Sequence, residues 1–413
     1  MLESHLLQER VEARYQGARL VSDVQACVYL EEFGLGIEVH GSIDRPSADD
    51  DRWLGVCHFQ RVEDAQAQAA FERAIDKGQQ AARVNLAHLL RMSDRSERAA
   101  DELQKVDFAR LTPYDQVFFL RVKSIHEETN GNLRDALRYS EEAWRRLQGL
   151  PEFAILAPSI LSQLGILHGR IGRAQRAIWF LERGMQLTTG LQHVKARIRW
   201  TTVMIAQGKT ELASEALREL ESSSVPEPMQ VEIEWLSGEI AWLMNRPDQA
   251  IEHYTKAIEI ARKHQVVYEE FLCQLALATI LAFRGDGTAI EHMKRAQELV
   301  TDRSDQLAYR FREVLVLVST GLYRTEHAVR ELLSTAEAFG DMGLLQEQGF
   351  VRLHVCAFKH ALADDSYVEE IESLTLLARS LQNPAFLERE LHFVPELRNL
   401  IEAHLPSEVT AST

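Results

Sequence analysis

Residues 238–257, GEIAWLMNRPDQAIEHYTKA, contain two small side chains twelve positions apart, Gly238 and Ala250. Two helices approach each other closely only where their side chains are small, so one small residue per helix at a fixed spacing predicts a helical hairpin. The same pair recurs at Gly55/Ala67, Ala87/Ala99, Ser124/Ala136, Gly165/Ala177 and Thr201/Ala213 and, with slight drift, at Ala278/Ala289 and Val314/Ala328. The sequence therefore predicts one hairpin repeated along the chain in a stacked array.

The residues around these pairs resemble the tetratricopeptide repeat (TPR). That pattern has Leu-Gly in its first helix, an aromatic residue three positions later, and Ala, a large residue and Ala on its second helix. Two stretches follow it closely: residues 54–74 with Leu54, Gly55, His58, Ala67, Phe71 and Ala74, and residues 164–184 with Leu164, Gly165, His168, Gly172, Ala177, Leu181 and Gly184. The resemblance covers roughly residues 50–340 in eight repeats, with a spacing of about 37 residues instead of 34. It implies an all-α, right-handed α-solenoid of about nine helix hairpins, with long repeats similar to those of bacterial sensor and activator TPR proteins.

The repeat phase also predicts how the chain is divided. Residues 1–50 are expected to form an N-terminal helical cap of two helices and a loop, interrupted by Gly34, Gly36 and Pro46. Residues 51–221 hold repeats 1–5, and residues 222–230 form a linker because they contain the run SSSVPEP. Residues 231–340 hold repeats 6–8, and residues 341–405 a degenerate hairpin followed by one C-terminal capping helix. Residues 406–413 are expected to be a disordered tail.

Composition excludes several classes of protein. The 413 residues carry a formal net charge of −16, which argues against direct nucleic-acid binding and against anionic membrane surfaces. No stretch approaches the ~18–20 apolar residues of a membrane helix, and the N-terminus lacks an apolar signal core. The four cysteines are isolated in sequence, as expected of reduced thiols in a cytoplasmic protein.

No catalytic signature is present. The sequence lacks a phosphate-binding GxxxxGK[ST] loop, HExxH, GxSxG and a GxGxxG after a strand. His354, Cys356 and His360 lie close together, but only Cys356 and His360 share a helix face, and two ligands do not make a zinc site. We therefore expect no enzymatic activity, no cofactor and no metal.

A basic stripe crosses residues 170–199 of this acidic chain. It holds seven cations against one acid, Glu182: Arg170, Arg173, Arg176, Arg183, Lys195, Arg197 and Arg199. The TPR resemblance implies that Arg121, Gln163, Arg170, Lys195 and Arg199 line the ligand groove. Arg121, Gln163, Lys195 and Arg199 occupy places equivalent to the carboxylate clamp of chaperone-tail-binding TPR domains, although Ile125 and Gln163 replace its two asparagines. We expect this site to bind an anion, an acidic peptide or a C-terminal carboxylate. The alternative is a solvated basic face that pairs with neighbouring acids.

Trp235 and Trp242 lie seven residues apart and therefore on one face of the same helix. The repeat phase places both in the groove, where tryptophan anchors partner side chains. The alternative is that both are buried against the next repeat.

Two functions fit this sequence best. The first is a non-enzymatic scaffold that binds a peptide or helix of a protein partner in its groove. The second is a bacterial signalling or transcription-regulatory sensor module that responds to a peptide or small ligand. The activator-type proteins that the repeats resemble also have nucleotide-binding and DNA-binding domains, and neither is visible here. As a sensor, the chain would be a fragment or would act on a separate regulator. Neither the partner nor the oligomeric state is encoded in a recognisable motif.

Overall fold

The computed structural model of this chain describes residues 4–61, 63–92, 96–221, 225–300, 303–381 and 384–404. All regular secondary structure within these ranges is helical. Ser222–Ser224 of the predicted linker and the predicted tail, residues 406–413, lie outside the described residues. The chain divides into two compact units, residues 1–128 with 135–163 and residues 129–134 with 164–413.

The first unit begins with three short helices where two helices and a loop were expected. They are α1 (Ser4–Arg14), α2 (Asp23–Tyr29) and α3 (Phe33–Gly41), and α3 contains both Gly34 and Gly36. A Cβ atom on Gly36 would lie 2.6 Å from the Cys57 sulfur, so glycine here allows α3 to lie directly against the next helix. The helices that follow are α4 (Ala48–Gln60), α5 (Asp64–Asp76), α6 (Gln80–Met92), α7 (Ser96–Gln104), α8 (Pro113–Thr129), α9 (Leu133–Leu147) and α10 (Phe153–Arg170), of which α8, α9 and α10 also contribute residues to the second unit.

The second unit is a succession of longer antiparallel helices. They are α11 (Ala174–Met185), α12 (Gly190–Ala206), α13 (Thr210–Glu221), α14 (Glu227–Leu243), α15 (Pro247–His264), α16 (Val267–Phe283), α17 (Ala289–Glu298), α18 (Arg303–Ser319), α19 (Thr325–Asp341), α20 (Leu345–Ala361) and α21 (Tyr367–Leu381). The first helices of the hairpins, α12, α14, α16, α18 and α20, each have 17 residues. Gly172 and Asn245 adopt left-handed backbone angles (φ 74° and 56°) at the turns between the two helices of a hairpin.

The small-residue pairs make the predicted contacts. A Cβ atom on Gly55, Gly165 or Gly238 would lie 2.4–2.5 Å from a side chain of the second helix, namely Phe71, Leu181 and Tyr254 respectively. The alanines of these pairs, Ala67, Ala177 and Ala250, are fully buried. At the third pair, Ser124 Oγ donates to the Ala136 carbonyl oxygen at 2.7 Å. The spacing that predicts the hairpins therefore marks their closest contacts.

The end of the described chain is broken into short turns where one capping helix was expected. A 3₁₀ turn (Pro384–Leu387) is followed by α22 (Glu388–Leu391), a second 3₁₀ turn (Pro395–Leu397) and α23 (Arg398–His404). Pro384 and Pro395 each begin a 3₁₀ turn, because proline lacks the N–H that would continue a helix. This division lets the segment bend across other helices of its unit.

All four cysteines are free and buried. Within the described ranges, no helix combines the length and the apolar composition needed to cross a membrane.

Candidate functional site

The predicted cations Lys195 and Arg199 lie on α12, where Arg199 is exposed and Lys195 is partly exposed. Glu232 on α14 is close enough for both positive charges to act on its carboxyl group. Burial raises the pKa of Glu232, while the charges of Arg199 and Lys195 oppose that rise. The two cations therefore have an acidic neighbour within their own unit.

A second acid, Glu269 on α16, adjoins Glu232. Burial and then the negative charge of Glu232 raise the pKa of Glu269 to about 7. The two carboxyl groups thus disfavour each other's ionised forms, and Glu269 keeps part of its proton at neutral pH. This face therefore carries less negative charge at neutral pH than its two carboxyl groups suggest.

The other residues of the basic stripe have surroundings of their own. Arg197 forms an ion pair with Glu219, and Arg183 donates to the Gln186 side chain at 3.2 Å. Arg173 and Arg176 are exposed at the start of α11. Arg170, at the end of α10, is partly exposed.

The other two predicted clamp residues belong to the first unit. Gln163 is buried and donates from Nε2 to Glu128 Oε2 at 2.6 Å. The guanidinium carbon of Arg121 lies 6.0 Å from the centre of the Phe118 ring. Because Arg121 and Gln163 are in one unit and Lys195 and Arg199 in the other, the four-residue clamp stays a prediction.

Beside Arg121, the first unit presents an aromatic and cationic face. The His88 ring lies 5.4 Å from the Phe59 ring and 6.3 Å from the Phe118 ring. Burial, and then the charges of Arg121 and Arg91, hold the pKa of His88 well below its usual range. His88 is therefore a neutral ring in a positive environment, which suits contact with an apolar or acidic group.

The two tryptophans have different surroundings. Trp235 is partly exposed and packs against the apolar clusters on both sides of α14. Trp242 is buried, and its indole Nε1 donates to the carbonyl oxygen of Arg389 at 3.0 Å. The rings of His392 and Phe393 lie 5.3 Å and 4.7 Å from Trp242. The groove position of Trp242 is thus occupied by the chain's own C-terminal region.

We define residues 386–397 as the strap. Its side chains and the carbonyl oxygen of Arg389 contact the first helices of four successive hairpins, α14, α16, α18 and α20. The aromatic contact is Phe393, whose ring lies 4.8 Å from the Phe283 ring on α16 as well as beside Trp242 on α14. A main-chain contact accompanies it, because His392 Nε2 lies 3.2 Å from the Leu243 carbonyl oxygen.

The acidic contact of the strap is Glu390, which is completely buried. Arg312 on α18 donates to both of its oxygens, at 2.5 and 2.8 Å, and His354 Nε2 on α20 lies 3.0 Å from Oε2. Burial alone would raise the pKa of Glu390, but the Arg312 charge and the His354 and Arg312 hydrogen bonds outweigh burial and lower it. Glu390 is therefore bound as a carboxylate between the Arg312 guanidinium and the His354 ring.

Sequence reasoning did not identify Phe283, Arg312, Glu390 or Phe393, and it considered His354 only as a zinc ligand. The strap lies about 150 residues from α14 along the chain, as in the Trp242–Arg389 pair separated by 147 positions. The signal that was available is the run ERELHF, residues 388–393, between two prolines in a region expected to be one helix.

Antiparallel helix pairs held by small residues at a fixed spacing define an all-α solenoid of the tetratricopeptide type. Residues 235–264 match the family model described as Tetratricopeptide repeat. The fold class predicted from the sequence is thereby confirmed. No curated protein matches the chain by sequence.

Among solved structures, the chain is similar to a Rap protein complexed with Competence and Sporulation Factor. The TM-score is 0.67 at 13% identity, and the match covers 81% of this chain and 98% of the other. It is also similar to the quorum sensor NprR from B. thuringiensis, in its apo form (TM-score 0.56, 10% identity, 80% and 98% covered). A third is the Rap conjugation gene regulator of plasmid pLS20, in complex with the Phr* peptide (TM-score 0.52, 13% identity, 87% and 98% covered). The predicted resemblance to bacterial sensor TPR proteins is confirmed as a likeness of fold.

Proposed function

We propose that this chain is a non-enzymatic TPR protein that binds a peptide, or a peptide-like segment of a protein partner, on the first helices of its hairpins. The observation that carries this proposal is the strap. Four successive first helices present Trp242, Phe283, Arg312 and His354 to a single short segment. A surface that holds a short segment by carbonyl, aromatic and carboxylate contacts has the chemistry of a peptide-binding groove.

A signalling role is the more specific form of this proposal. The solved structures of similar fold include a Rap protein with a bound factor, a Rap regulator with a bound peptide, and a quorum sensor. We infer that this chain likewise responds to a peptide, with a reducing compartment as its site of action because its four buried cysteines are free. A plain scaffold without a response to ligand is the second candidate, supported by the absence of any catalytic motif in the sequence.

We propose that the open part of the binding surface of the second unit includes Lys195, Arg199 and Trp235, with Arg170 as a further contact. Arg121 and Gln163 are proposed separately as peptide contacts of the first unit. Its ligand would carry an acidic segment or a C-terminal carboxylate. A carboxylate bound by Lys195 and Arg199 would gain charge-assisted hydrogen bonds, each worth about 1.5–3 kcal/mol at best. Screening by salt would weaken these contacts, because Arg199 is exposed.

The test is capture of partners by the purified full-length chain from its source cell, with mass spectrometry of the bound peptides and proteins. The affinity of a captured partner is then measured for the double variant Lys195→Ala/Arg199→Ala. We expect a loss of about tenfold or more, since 1.4 kcal/mol corresponds to a factor of ten.

The matched control is Arg173→Ala/Arg176→Ala, which removes the same charge from exposed positions at the start of α11. This control should keep the parent affinity to within about twofold at physiological salt. Equal losses in both variants would show only long-range charge attraction. Unchanged affinity in Lys195→Ala/Arg199→Ala would show that Lys195 and Arg199 form a solvated face that takes no part in binding.

A further inference from the structure

The strap contacts the helices of the second unit as a bound peptide would. Its main-chain carbonyl at Arg389 accepts a hydrogen bond from the Trp242 indole. Its acidic side chain enters a pocket made by Arg312 and His354, and three residues later its aromatic side chain packs between Trp242 and Phe283. Main-chain capture combined with side-chain pockets is how peptide-binding surfaces obtain both affinity and specificity.

The strap has little regular structure of its own to hold it in place. The helical segment α22 has only four residues and lies between two short 3₁₀ turns. Helical segments this short are not stable alone in water, because nucleation of a helix is unfavourable. The position of Glu390 and Phe393 therefore depends on tertiary contacts: their own with α14, α16, α18 and α20, and those of their neighbours Leu391 and Val394 in the cluster with α20 and α21.

Apolar side chains of the strap itself hold it against its unit. They pack, together with Ile401 just after the strap, in one cluster with residues of α20 and α21: Phe386, Leu387, Leu391, Val394 and Leu397. A tethered segment acts at an effective concentration in the millimolar range. Any external peptide for the same surface must compete with that concentration, so the strap weakens the apparent affinity for such a peptide.

The pocket around Glu390 determines which external peptide could compete. Arg312 and His354 are both buried, and Arg389 also reaches Glu239 on α14 at 3.3 Å. A buried cation that loses its carboxylate is left uncompensated, which is strongly unfavourable. A competing peptide must therefore bring a carboxylate of its own, together with an aromatic ring at the distance that separates Glu390 from Phe393.

We propose that the strap is an internal ligand of the α14–α20 surface, and that a peptide with an acidic residue three positions before an aromatic one takes its place. The external ligand in this proposal rests on the proposed function, since it assumes that the protein binds peptides. Occupancy of the α14–α20 surface by the strap does not rest on the proposed function. The strap thus sets a threshold of peptide concentration below which the α14–α20 surface stays closed.

The probe is a fluorescein-labelled synthetic peptide of residues 386–397, FLERELHFVPEL, with blocked termini. Its binding is measured by fluorescence anisotropy with the full-length chain and with full-length Phe393→Ala. We expect Phe393→Ala to bind the probe about tenfold or more tightly than the parent, because its own strap is weakened while Trp242 and Phe283 remain. A probe in which the position of Glu390 carries Gln should bind Phe393→Ala about tenfold or more weakly than the original probe.

The matched control is Glu388→Gln in the full-length chain. Glu388 belongs to the same segment but pairs with Arg398 at 2.9 Å, away from Arg312 and His354. This variant should bind the probe as weakly as the parent. The conservative variant Phe393→Leu, which removes the ring contacts with Trp242 and Phe283 but keeps an apolar side chain, should give an intermediate gain. It decides the question if Phe393→Ala does not fold.

Equal binding of the probe by parent, Phe393→Ala and Phe393→Leu would overturn the proposal, as would equal binding of the Glu and Gln probes. The two proposals fail separately. Probe binding that appears only in the Phe393 variants, with no partner captured from the cell, would contradict the proposed function. The proposal that the strap is an internal ligand would still stand. A captured peptide that binds parent and Phe393→Ala with equal affinity would contradict the internal ligand and leave the proposed function.

Discussion

Replacing Gly238 by alanine tests the close contact between α14 and α15, which the predicted hairpin fold requires. A Cβ atom on Gly238 would lie 2.5 Å from Cε1, 2.7 Å from Cδ1 and 2.9 Å from Cζ of Tyr254. The ring cannot easily move away, because Tyr254 is 1% exposed and its hydroxyl donates to Glu239 Oε1 at 2.8 Å. Either the two helices separate or that buried hydrogen bond is lost.

The expected magnitude combines three effects. Alanine favours a helix over glycine by roughly 0.5–1 kcal/mol. Overpacking in a well-packed core costs about 1–3 kcal/mol, and loss of a hydrogen bond to a charged acceptor costs about 1.5–3 kcal/mol. Because the ring meets one or the other of these two costs, and the helix preference for alanine offsets part of it, we expect Gly238→Ala to lower the free energy of unfolding by about 0.5–2.5 kcal/mol.

The assay is urea-induced unfolding followed by the helical circular dichroism signal. Gly41→Ala is the control, since Gly41 is a helical glycine, the last residue of α3, with nothing within 4 Å of its Cβ position, and this variant should lose no stability. In a Tyr254→Ala background, Gly238→Ala should cost nothing, because the ring that it meets is gone. Parent-like stability of Gly238→Ala in the presence of Tyr254 would show that the two helices do not meet at this pair.

Two further outcomes follow from buried charges. Because burial and the Glu232 charge raise the pKa of Glu269 from 4.5 to about 7, the unfolded chain releases this proton first, and Glu269 destabilises the fold as pH rises through that interval. Glu269→Gln should therefore have the same free energy of unfolding as the parent near about pH 4. At about pH 8 it should be more stable than the parent, by at most about 3 kcal/mol because Glu269 is partly exposed. The same dependence of unfolding free energy on pH in parent and variant would refute this. Asp115→Ala should destabilise the first unit by about 3–5 kcal/mol in urea unfolding, because it leaves the buried Arg52, 2.6 Å from Asp115, without its carboxylate. The exposed pair of Asp135 and Arg138 provides the control, where Asp135→Ala should cost no more than about 1 kcal/mol, and similar losses in both variants would contradict the assignment.

The helical repeat could be predicted from sequence because its determinants are local. A small residue on one helix and an alanine twelve positions later specify a hairpin contact within a single repeat, and Gly55, Gly165 and Gly238 make that contact in the structure. The turns at Gly172 and Asn245 were equally local, since each needs a residue that tolerates a positive φ angle. For the N-terminal cap the sequence predicts one helix too few, because Gly34 and Gly36 indicate an interruption whereas both lie inside α3. Packing against Cys57 favours glycine at position 36 of α3.

The candidate site depended on contacts between distant parts of the chain, which spacing cannot encode. The sequence by itself determined that Lys195, Arg199, Trp235 and Trp242 belong to first helices, and the repeat phase assigned them to one face. Only the tertiary structure decided that Glu232 lies beside the two cations, and that Arg389 and Phe393 cover Trp242 from 147 and 151 positions away. The physical reason is that a repeat pattern reports the packing of neighbouring helices, whereas the path of a short, proline-bounded segment is set by the pockets that receive its side chains.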